Sequence, residues 1–211
     1  APGAAWFHPP PARVARRART PPRPIRAGLL AAALVLLTGA ATPTYRYQID
    51  APRSSVDAKV AFMGLASKSA RFPRISGGIH LTPERLDAID LDVTLDARAL
   101  TAGDKVTLER LRGKDFFDVE RYPAIRFAGN RMTMTGPTTA RVEGQITARG
   151  TTRPATLAVT FAQPPVGATG KDPIQLSART TINRHDFGMT AYSLVVGKKV
   201  TITINARMVP R

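Results

Sequence analysis

The chain has 211 residues, 43% of them hydrophobic, which suffices for one domain with a full core plus an extension. Its formal net charge is +16, and six arginines lie in residues 1–26, ahead of the first acidic residue, Asp50. When those six are taken from the 31 basic residues, 25 remain against 15 acidic residues. This balance favours anionic partners such as phosphate head groups, membrane surfaces or nucleic acid. Cysteine is absent, which excludes disulfides and thiol chemistry.

The first 41 residues differ in composition from the rest of the chain. Residues 1–26 are rich in proline, alanine and arginine, which is typical of a disordered or processed extension. Residues 27–41 place an apolar centre between arginines and small residues, as in a signal peptide with a cleavage site at residues 39–41. A membrane anchor is the alternative, but these fifteen residues fall short of the roughly 20 that span a bilayer. The sequence therefore predicts a periplasmic or secreted protein with no stable transmembrane anchor.

Residues 42–211 are predicted to form one domain of β-strands. Apolar and polar side chains alternate, so each strand buries one face and leaves the other in water. Covering helices are therefore not expected on the outer face. The alternating apolar sets are Val56, Ala58, Val60 and Phe62; Ile89, Leu91, Val93 and Leu95; Val142, Gly144 and Ile146; Leu157, Val159 and Phe161; Ile174, Leu176 and Ala178; and Val200, Ile202 and Ile204.

Turn signals separate the predicted strands. They lie at residues 76–78, 135–137, 149–151 and 164–173. The one good helix candidate is Lys105–Arg112, with Asp104 as its N-cap and Gly113 at its end. About eight antiparallel strands with one short helix fit either a closed barrel or a two-sheet sandwich. Periodicity alone does not separate these two folds.

Residues 111–127, LRGKDFFDVERYPAIRF, combine several local signals. After the end of the helix, Phe116 and Phe117 stand between two acids. The ring of Pro123 disfavours a helical conformation at the residue before it, so a strand that includes Phe127 can begin at once. The aromatic pair either closes one end of the core or lines a ligand cavity.

Four segments together resemble the YceI-like family, periplasmic lipocalin-like barrels that bind polyisoprenoids. They are residues 47–50 (YQID), 111–127, 144–154 (GQITARGTTRP) and 182–188 (INRHDFG), and the resemblance extends over residues 47–209. It implies an all-β fold, an antiparallel eight-stranded lipocalin-like barrel with one short helix, over residues 42–211.

The sequence carries no strong signal for catalysis. The histidines, His8, His80 and His185, have no spacing that suggests a metal site. His185 follows Arg184 and precedes Asp186, but neighbours on a strand point to opposite faces, which favours a turn-supporting role. Nucleophile-elbow, phosphate-loop and dinucleotide motifs are absent. We therefore predict that the protein is not an enzyme and uses no cofactor or metal.

Binding inside a barrel is the remaining hypothesis. Nucleic acid is not predicted as a partner, because the aromatic side chains fall on apolar stripes rather than among exposed basic residues. An eight-stranded barrel is either filled by side chains or holds one slim ligand. Small residues on the inferred inward faces would leave room in a barrel, whereas in a sandwich they would only let two sheets approach. These residues are Ala58, Gly144, Ala148 and Ala178.

The resemblance implies a long isoprenoid chain in an apolar channel, with a polar or phosphorylated head group near the mouth. The candidate channel residues are Phe62, Phe72, Phe127 and Phe161. The candidate head-group residues are Arg184 and Lys198, and an internal ion pair of Arg184 with Asp186 or another acid is the alternative.

Three functions follow from this interpretation. The first is non-catalytic binding, storage or transport of a polyisoprenoid, a quinone-like molecule or a prenyl phosphate. The second is a secreted stress-related or envelope-interaction protein with a filled barrel and a basic surface. The third is an enzyme or electron-transfer accessory that acts on a bound isoprenoid. The resemblance also admits a homodimer.

Overall fold

The computed structural model describes residues 42–211, which contain eleven β-strands, one α-helix and four short 3-10 helices. The predicted extension and signal peptide lie outside these residues. The elements are β1 (Tyr45–Ile49), β2 (Ser55–Phe62), β3 (Ala66–Phe72), β4 (Ile75–Leu81), β5 (Asp90–Asp96), β6 (Thr101–Ala102), α1 (Lys105–Arg112), β7 (Ala124–Met134), β8 (Thr139–Ala148), β9 (Thr151–Phe161), β10 (Ile174–Asn183) and β11 (Val196–Pro210).

The strands form one antiparallel sheet that closes into a barrel. The closed ring has eight strands in the order β1-β4-β5-β7-β8-β9-β10-β11, and β1 pairs with β11 to complete it. In that pairing Tyr47 lies opposite Pro210 and Ile49 lies opposite Met208. The predicted lipocalin-like barrel with one short helix is thus confirmed, and the sandwich is excluded.

Strand β11 is long enough to pair with two different strands along one of its edges. Its C-terminal end pairs with β1, whereas its earlier residues pair with β2, which continues into β3 and β6. A 3-10 turn, Ala51–Arg53, joins β1 to β2. Next to it, Arg207 Nη1 lies 2.5 Å from Asp50 Oδ2, and the amide of Arg207 donates to Ser54 Oγ at 3.0 Å. These contacts fix the point at which β11 changes partner.

The helix lies within the bounds that its capping signals predict. Asp104 Oδ1 accepts a hydrogen bond of 2.8 Å from the amide of Thr107, so it satisfies a donor that the helix itself leaves free. At the other end, the amide of Gly113 donates to the carbonyls of Glu109 and Arg110 at 3.1 Å. The prediction that a strand begins after Pro123 is confirmed, since β7 starts at Ala124.

One turn prediction is wrong. Residues 76–78 lie inside β4, where both neighbouring strands approach their backbone closely. A Cβ at Gly77 would stand 2.1 Å from the carbonyl oxygen of Asp92, and one at Gly78 would stand 2.1 Å from that of Tyr47. The two glycines therefore serve close strand packing rather than a reversal of the chain.

Candidate functional site

The interior of the barrel contains two apolar cavities. The volume open to the centre of a water-sized sphere is about 150 Å³ in the first cavity and about 120 Å³ in the second. Roughly 10–15 Å³ on this measure already holds one water, so both spaces exceed ordinary packing voids. The first is lined by residues such as Leu81, Phe161 and Met208, and the second by residues such as Phe72 and Phe117.

The two cavities meet at a belt of aliphatic side chains. Five residues line both spaces, and each comes from a different strand: β2, β5, β7, β8 and β11. The strand alternation that the sequence shows points all five into the barrel. A ligand that occupies both cavities must pass this aliphatic belt. The belt consists of Val56, Leu95, Ile125, Ile146 and Ile202.

Three of the four predicted channel residues line a cavity. Phe127 and Phe161 line the first cavity, and Phe72 lines the second. Phe62, the last residue of β2, lines neither cavity. The ammonium of Lys68 lies 5.4 Å from the centre of its ring. Contact of these four residues with a ligand stays a prediction.

The small residues on the inward faces leave less room than their number suggests. Ala58 and Ala148 line the second cavity and Ala178 lines the first, but Gly144 lines neither. A Cβ at Gly144 would stand 2.7 Å from Cζ of Phe127, so the phenyl ring already takes this space. Gly144 thus positions a ring in the wall of the first cavity.

Arg184 is a buried cation beside the second cavity. Arg184 is 2% exposed, and its guanidinium lies 5.8 Å from the ring centre of Phe116. Nε donates to the carbonyl of Gly197 and Nη2 to that of Val196, both at 2.9 Å. Nη1 donates to the carbonyl of Met189. Burial lowers the pKa of Arg184.

The alternative of an ion pair at Arg184 is wrong. The guanidinium pairs with no carboxylate of residues 42–211. Asp186 instead accepts a hydrogen bond of 3.1 Å from the side chain of Asn183. Three backbone carbonyls therefore accept from three of the five N–H groups of Arg184 but leave its charge without a full counter-charge.

The second predicted head-group residue, Lys198, lies outside both cavities. It is exposed, in the part of β11 where the register shifts between Val196 and Val200. The burial of His185 lowers the pKa of that imidazole, and the positive charges of Arg184 and Lys198 lower it further. A head-group role for Lys198 stays a prediction.

Sequence reasoning missed Lys68, which lines the second cavity. It lies opposite Val60, on the inward face that Ala70 and Phe72 also share. Its ammonium is 2.8 Å from Asp104 Oδ2, the carboxylate that caps α1. The alternation of Lys68, Ala70 and Phe72 is the sequence signal that could have found this inward cation.

Residues 42–211 contain no cluster of three or more histidine, aspartate or glutamate side chains placed to hold a metal ion. His185 lies in a 3-10 turn, Arg184–Phe187, where its amide donates to Asn183 Oδ1 at 3.1 Å. Its Nε2 is 3.2 Å from Ser193 Oγ.

Within residues 42–211, no helix has both the length and the apolar character needed to cross a bilayer.

Solved structures share this fold. BcnA of Burkholderia cenocepacia superposes with a TM-score of 0.67 at 22% identity, over 75% of this chain and 98% of BcnA. A polyisoprenoid binding domain from Saccharophagus degradans, implicated in plant cell wall breakdown, superposes with a TM-score of 0.63 at 14% identity. That match covers 78% of this chain and 98% of the domain.

Sequence comparison defines the family. The UPF0312 protein of Pseudomonas putida is 29% identical over 167 residues, which cover 76% of this chain and 84% of that protein. The UPF0312 protein of Pseudomonas fluorescens is 26% identical over the same shares. The YceI-like domain, as a family model, matches residues 47–208, which include the cavity-lining parts of the ring strands. The chain therefore belongs to the YceI-like family.

Proposed function

We propose that the barrel binds a polyisoprenoid or a similar amphiphilic lipid and carries or stores it without catalysing a reaction. The chain of the lipid lies in the two cavities, across the aliphatic belt, and its polar end lies toward Lys68 and Arg184. The protein works in the periplasm or after secretion, as residues 27–41 predict. The pair of joined apolar cavities is the observation that carries this proposal.

The lining chemistry suits a branched hydrocarbon chain. Aliphatic and aromatic side chains from all eight strands of the ring surround the first cavity. Transfer of apolar surface from water into such a space contributes about 25 cal/mol per Å², so a long chain gains more than a small molecule does. The lining offers few polar groups, which favours a ligand whose buried part needs no hydrogen bonds.

Three cations line the second cavity, Lys59, Lys68 and Arg184, and they favour a ligand with a polar or anionic end. A buried guanidinium without a paired carboxylate raises the local potential, and charges interact more strongly in a low-dielectric interior than in water. Lys68 lies at the solvent side of the same space, and Asp104 pairs with it. A phosphate, hydroxyl or quinone oxygen near these groups would find donors.

The comparisons support binding rather than catalysis. One structural relative with the same fold is a polyisoprenoid binding domain, and the family model covers the part of this chain that encloses the cavities.

Lipid extraction from natively purified protein tests the proposal. Mass spectrometry should find a long-chain isoprenoid at a near-stoichiometric amount. The variant Ala178→Trp, which fills the first cavity, should lose most of this lipid, whereas Arg179→Trp on the outer face should retain it. Circular dichroism checks that both variants fold. Protein that reproducibly contains no lipid and binds no added isoprenoid would overturn the proposal and favour the filled-barrel alternative.

A second experiment tests the head-group end. We expect Lys68→Gln to weaken binding of a prenyl phosphate more than binding of the corresponding uncharged prenol, because only the phosphate gains from the cation. The control is Lys171→Gln, which removes an exposed lysine that lines neither cavity. Equal effects of Lys68→Gln on both ligands would contradict the placement of the head group.

A further inference from the structure

Exposed large hydrophobic side chains gather on three neighbouring segments. Six of the seven such side chains in residues 42–211 lie on the β2–β3 turn, on α1 or on the loop before β11. Leu65 and Leu194 are fully exposed. We call these six residues the apolar rim: Met63, Leu65, Val106, Tyr192, Leu194 and Val195.

Direct contacts hold the three segments together. The amide of Met63 donates to the carbonyl of Val195 at 2.7 Å, which joins the β2–β3 turn to the loop before β11. The guanidinium of Arg110 lies 4.7 Å from the ring centre of Tyr192, which joins that loop to α1. The rim is therefore one surface and not a set of scattered side chains.

The rim adjoins the second cavity. The ring of Tyr192 stacks on that of Phe116, a cavity-lining residue, with 6.0 Å between the ring centres. Val196 and Thr107, which also line this cavity, follow Val195 and Val106 directly in the chain. The apolar rim thus lies at the end of the barrel where the second cavity ends.

Lysines flank the rim in the two chain segments that carry the β2–β3 turn and the loop before β11. Residues 58–69 and 187–199 contain four lysines and no aspartate or glutamate. Lys68 pairs with Asp104, whereas Lys59, Lys198 and Lys199 are exposed and form no ion pair within residues 42–211. An apolar surface with cations around it matches a bilayer surface that carries anionic lipids.

Both loops place a large apolar residue in a left-handed backbone conformation. Met63 has φ 51° and Tyr192 has φ 56°, in the left-handed region that glycine adopts more readily. Large apolar residues on such turns gain little from folding, because they stay in water. An exposed apolar cluster of this kind marks an interaction surface.

We propose that the apolar rim docks on an anionic phospholipid bilayer. Leu65, Leu194 and their neighbours enter the boundary between head groups and acyl chains, and Lys59, Lys198 and Lys199 contact lipid phosphates. A second copy of the chain fits this surface less well. A two-fold interface would set the same patch against itself and bring these lysines toward each other.

Docking would direct the second cavity toward the bilayer, so a lipid could exchange without passing through bulk water. This consequence rests on the proposed lipid-binding function, whereas docking itself does not. The variant Ala178→Trp separates the two ideas, because it should lose the bound isoprenoid and still dock.

Flotation of the full chain with vesicles tests the docking. Vesicles of phosphatidylcholine and phosphatidylglycerol, without isoprenoid, should bind the protein, and binding should weaken in high salt. The double variant Leu65→Asp, Leu194→Asp should bind at least about tenfold more weakly. Val166→Asp is the matched control, since Val166 is an exposed apolar residue outside the rim. Every protein carries the same residues 1–41, so differences report on the rim.

A charge reversal tests the flanking lysines. Lys198→Glu should weaken binding to these vesicles by several-fold, and Lys171→Glu, outside the rim, should leave it near the wild-type value. Rim variants that fold and bind vesicles as tightly as their controls would overturn the proposal. So would a wild-type dimer that Leu65→Asp, Leu194→Asp converts to a monomer with unchanged vesicle binding, because the rim would then be an interface between copies.

Discussion

At Gly144 the absence of a side chain decides where an aromatic ring lies. The ring of Phe127 packs over this glycine, and a Cβ there would also stand 2.3 Å from the carbonyl oxygen of Ala128. Backbone cannot move aside as easily as the end of a flexible side chain. The wall of the first cavity therefore depends on one missing methyl group.

We expect Gly144→Ala to lower the free energy of unfolding by about 1–3 kcal/mol, because the added methyl group overpacks the strand and the ring. Urea denaturation measures the change. Gly103→Ala is the control, since a Cβ at Gly103 meets no atom within 4 Å. Equal effects of the two substitutions would show that the contact with Phe127 is not the cause.

Arg184 has a structural task besides any contact with a ligand. Its guanidinium satisfies three backbone carbonyls from the chain around Met189 and the start of β11. We expect Arg184→Met to cost roughly 3 kcal/mol of unfolding free energy, because buried carbonyls lose their donors. Arg184→Lys should cost less, since an ammonium keeps the charge and part of the bonds. Urea denaturation of both variants, beside the exposed-site control Arg179→Met, checks this order.

Helix α1 depends on a charged cap that contacts two elements. Asp104 accepts from the amide and the hydroxyl of Thr107 and pairs with Lys68 on β3. The hydrogen bond from Lys68 and those from Thr107 lower the pKa of Asp104. The carboxylate therefore fastens the helix to the strand that borders the second cavity.

The lowered pKa of Asp104 predicts a dependence of stability on pH. The folded state binds this proton less readily than the unfolded state, whose carboxyl has the ordinary pKa of 3.8. The contribution to stability is therefore present above pH 3.8 and is lost as the pH falls below it. Wild type should exceed Asp104→Asn in melting temperature at pH 7, and this difference should shrink toward pH 2.

A comparison in the Lys68→Gln background identifies the partner. Removal of the ammonium should reduce the effect of Asp104→Asn at pH 7, because the hydrogen bond that lowers the pKa of the carboxyl most is then absent. A difference between wild type and Asp104→Asn that stays constant from pH 7 to pH 2 would contradict the charged-cap explanation.

Local signals in the sequence predict these elements well where the cause is local. The cap, the glycine stop and the apolar side of α1 lie within ten residues of one another, and the alternation in β5 repeats every second residue. The prediction fails at Gly77, whose role depends on the approach of a strand from elsewhere in the chain. The predicted ion pair of Arg184 fails for the same reason, because its guanidinium bonds to carbonyls of a later segment rather than to the nearby acid, Asp186.

At the scale of the whole molecule, one pairing decides between barrel and sandwich. Ile49 and Met208 lie opposite each other although almost the entire domain separates them in sequence. Alternation shows which side chains face inward but not which strands meet, so the residues alone leave both folds open. The same limit applies to the interior cavities, because Gly144 and Ala178 look alike in sequence and only Ala178 lines one of them.

Five strands contribute to the aliphatic belt, so the length of chain that the protein can hold depends on how the whole barrel is assembled. Ile202→Trp adds a large ring where the two cavities meet, so a chain that spans both should clash while a short chain in one cavity should not. We expect affinity for octaprenol to fall by roughly tenfold or more, and affinity for farnesol to change far less.

Competition with a fluorescent lipid measures both affinities. Thr203→Trp places the same ring on the outer face, one residue further along β11, and should alter neither of them. Parallel losses for octaprenol and farnesol in folded Ile202→Trp would mean that the two cavities do not act as one channel. Selective loss of the long chain would instead show that the two cavities form one channel, whose width at the aliphatic belt sets the length of chain that the protein holds.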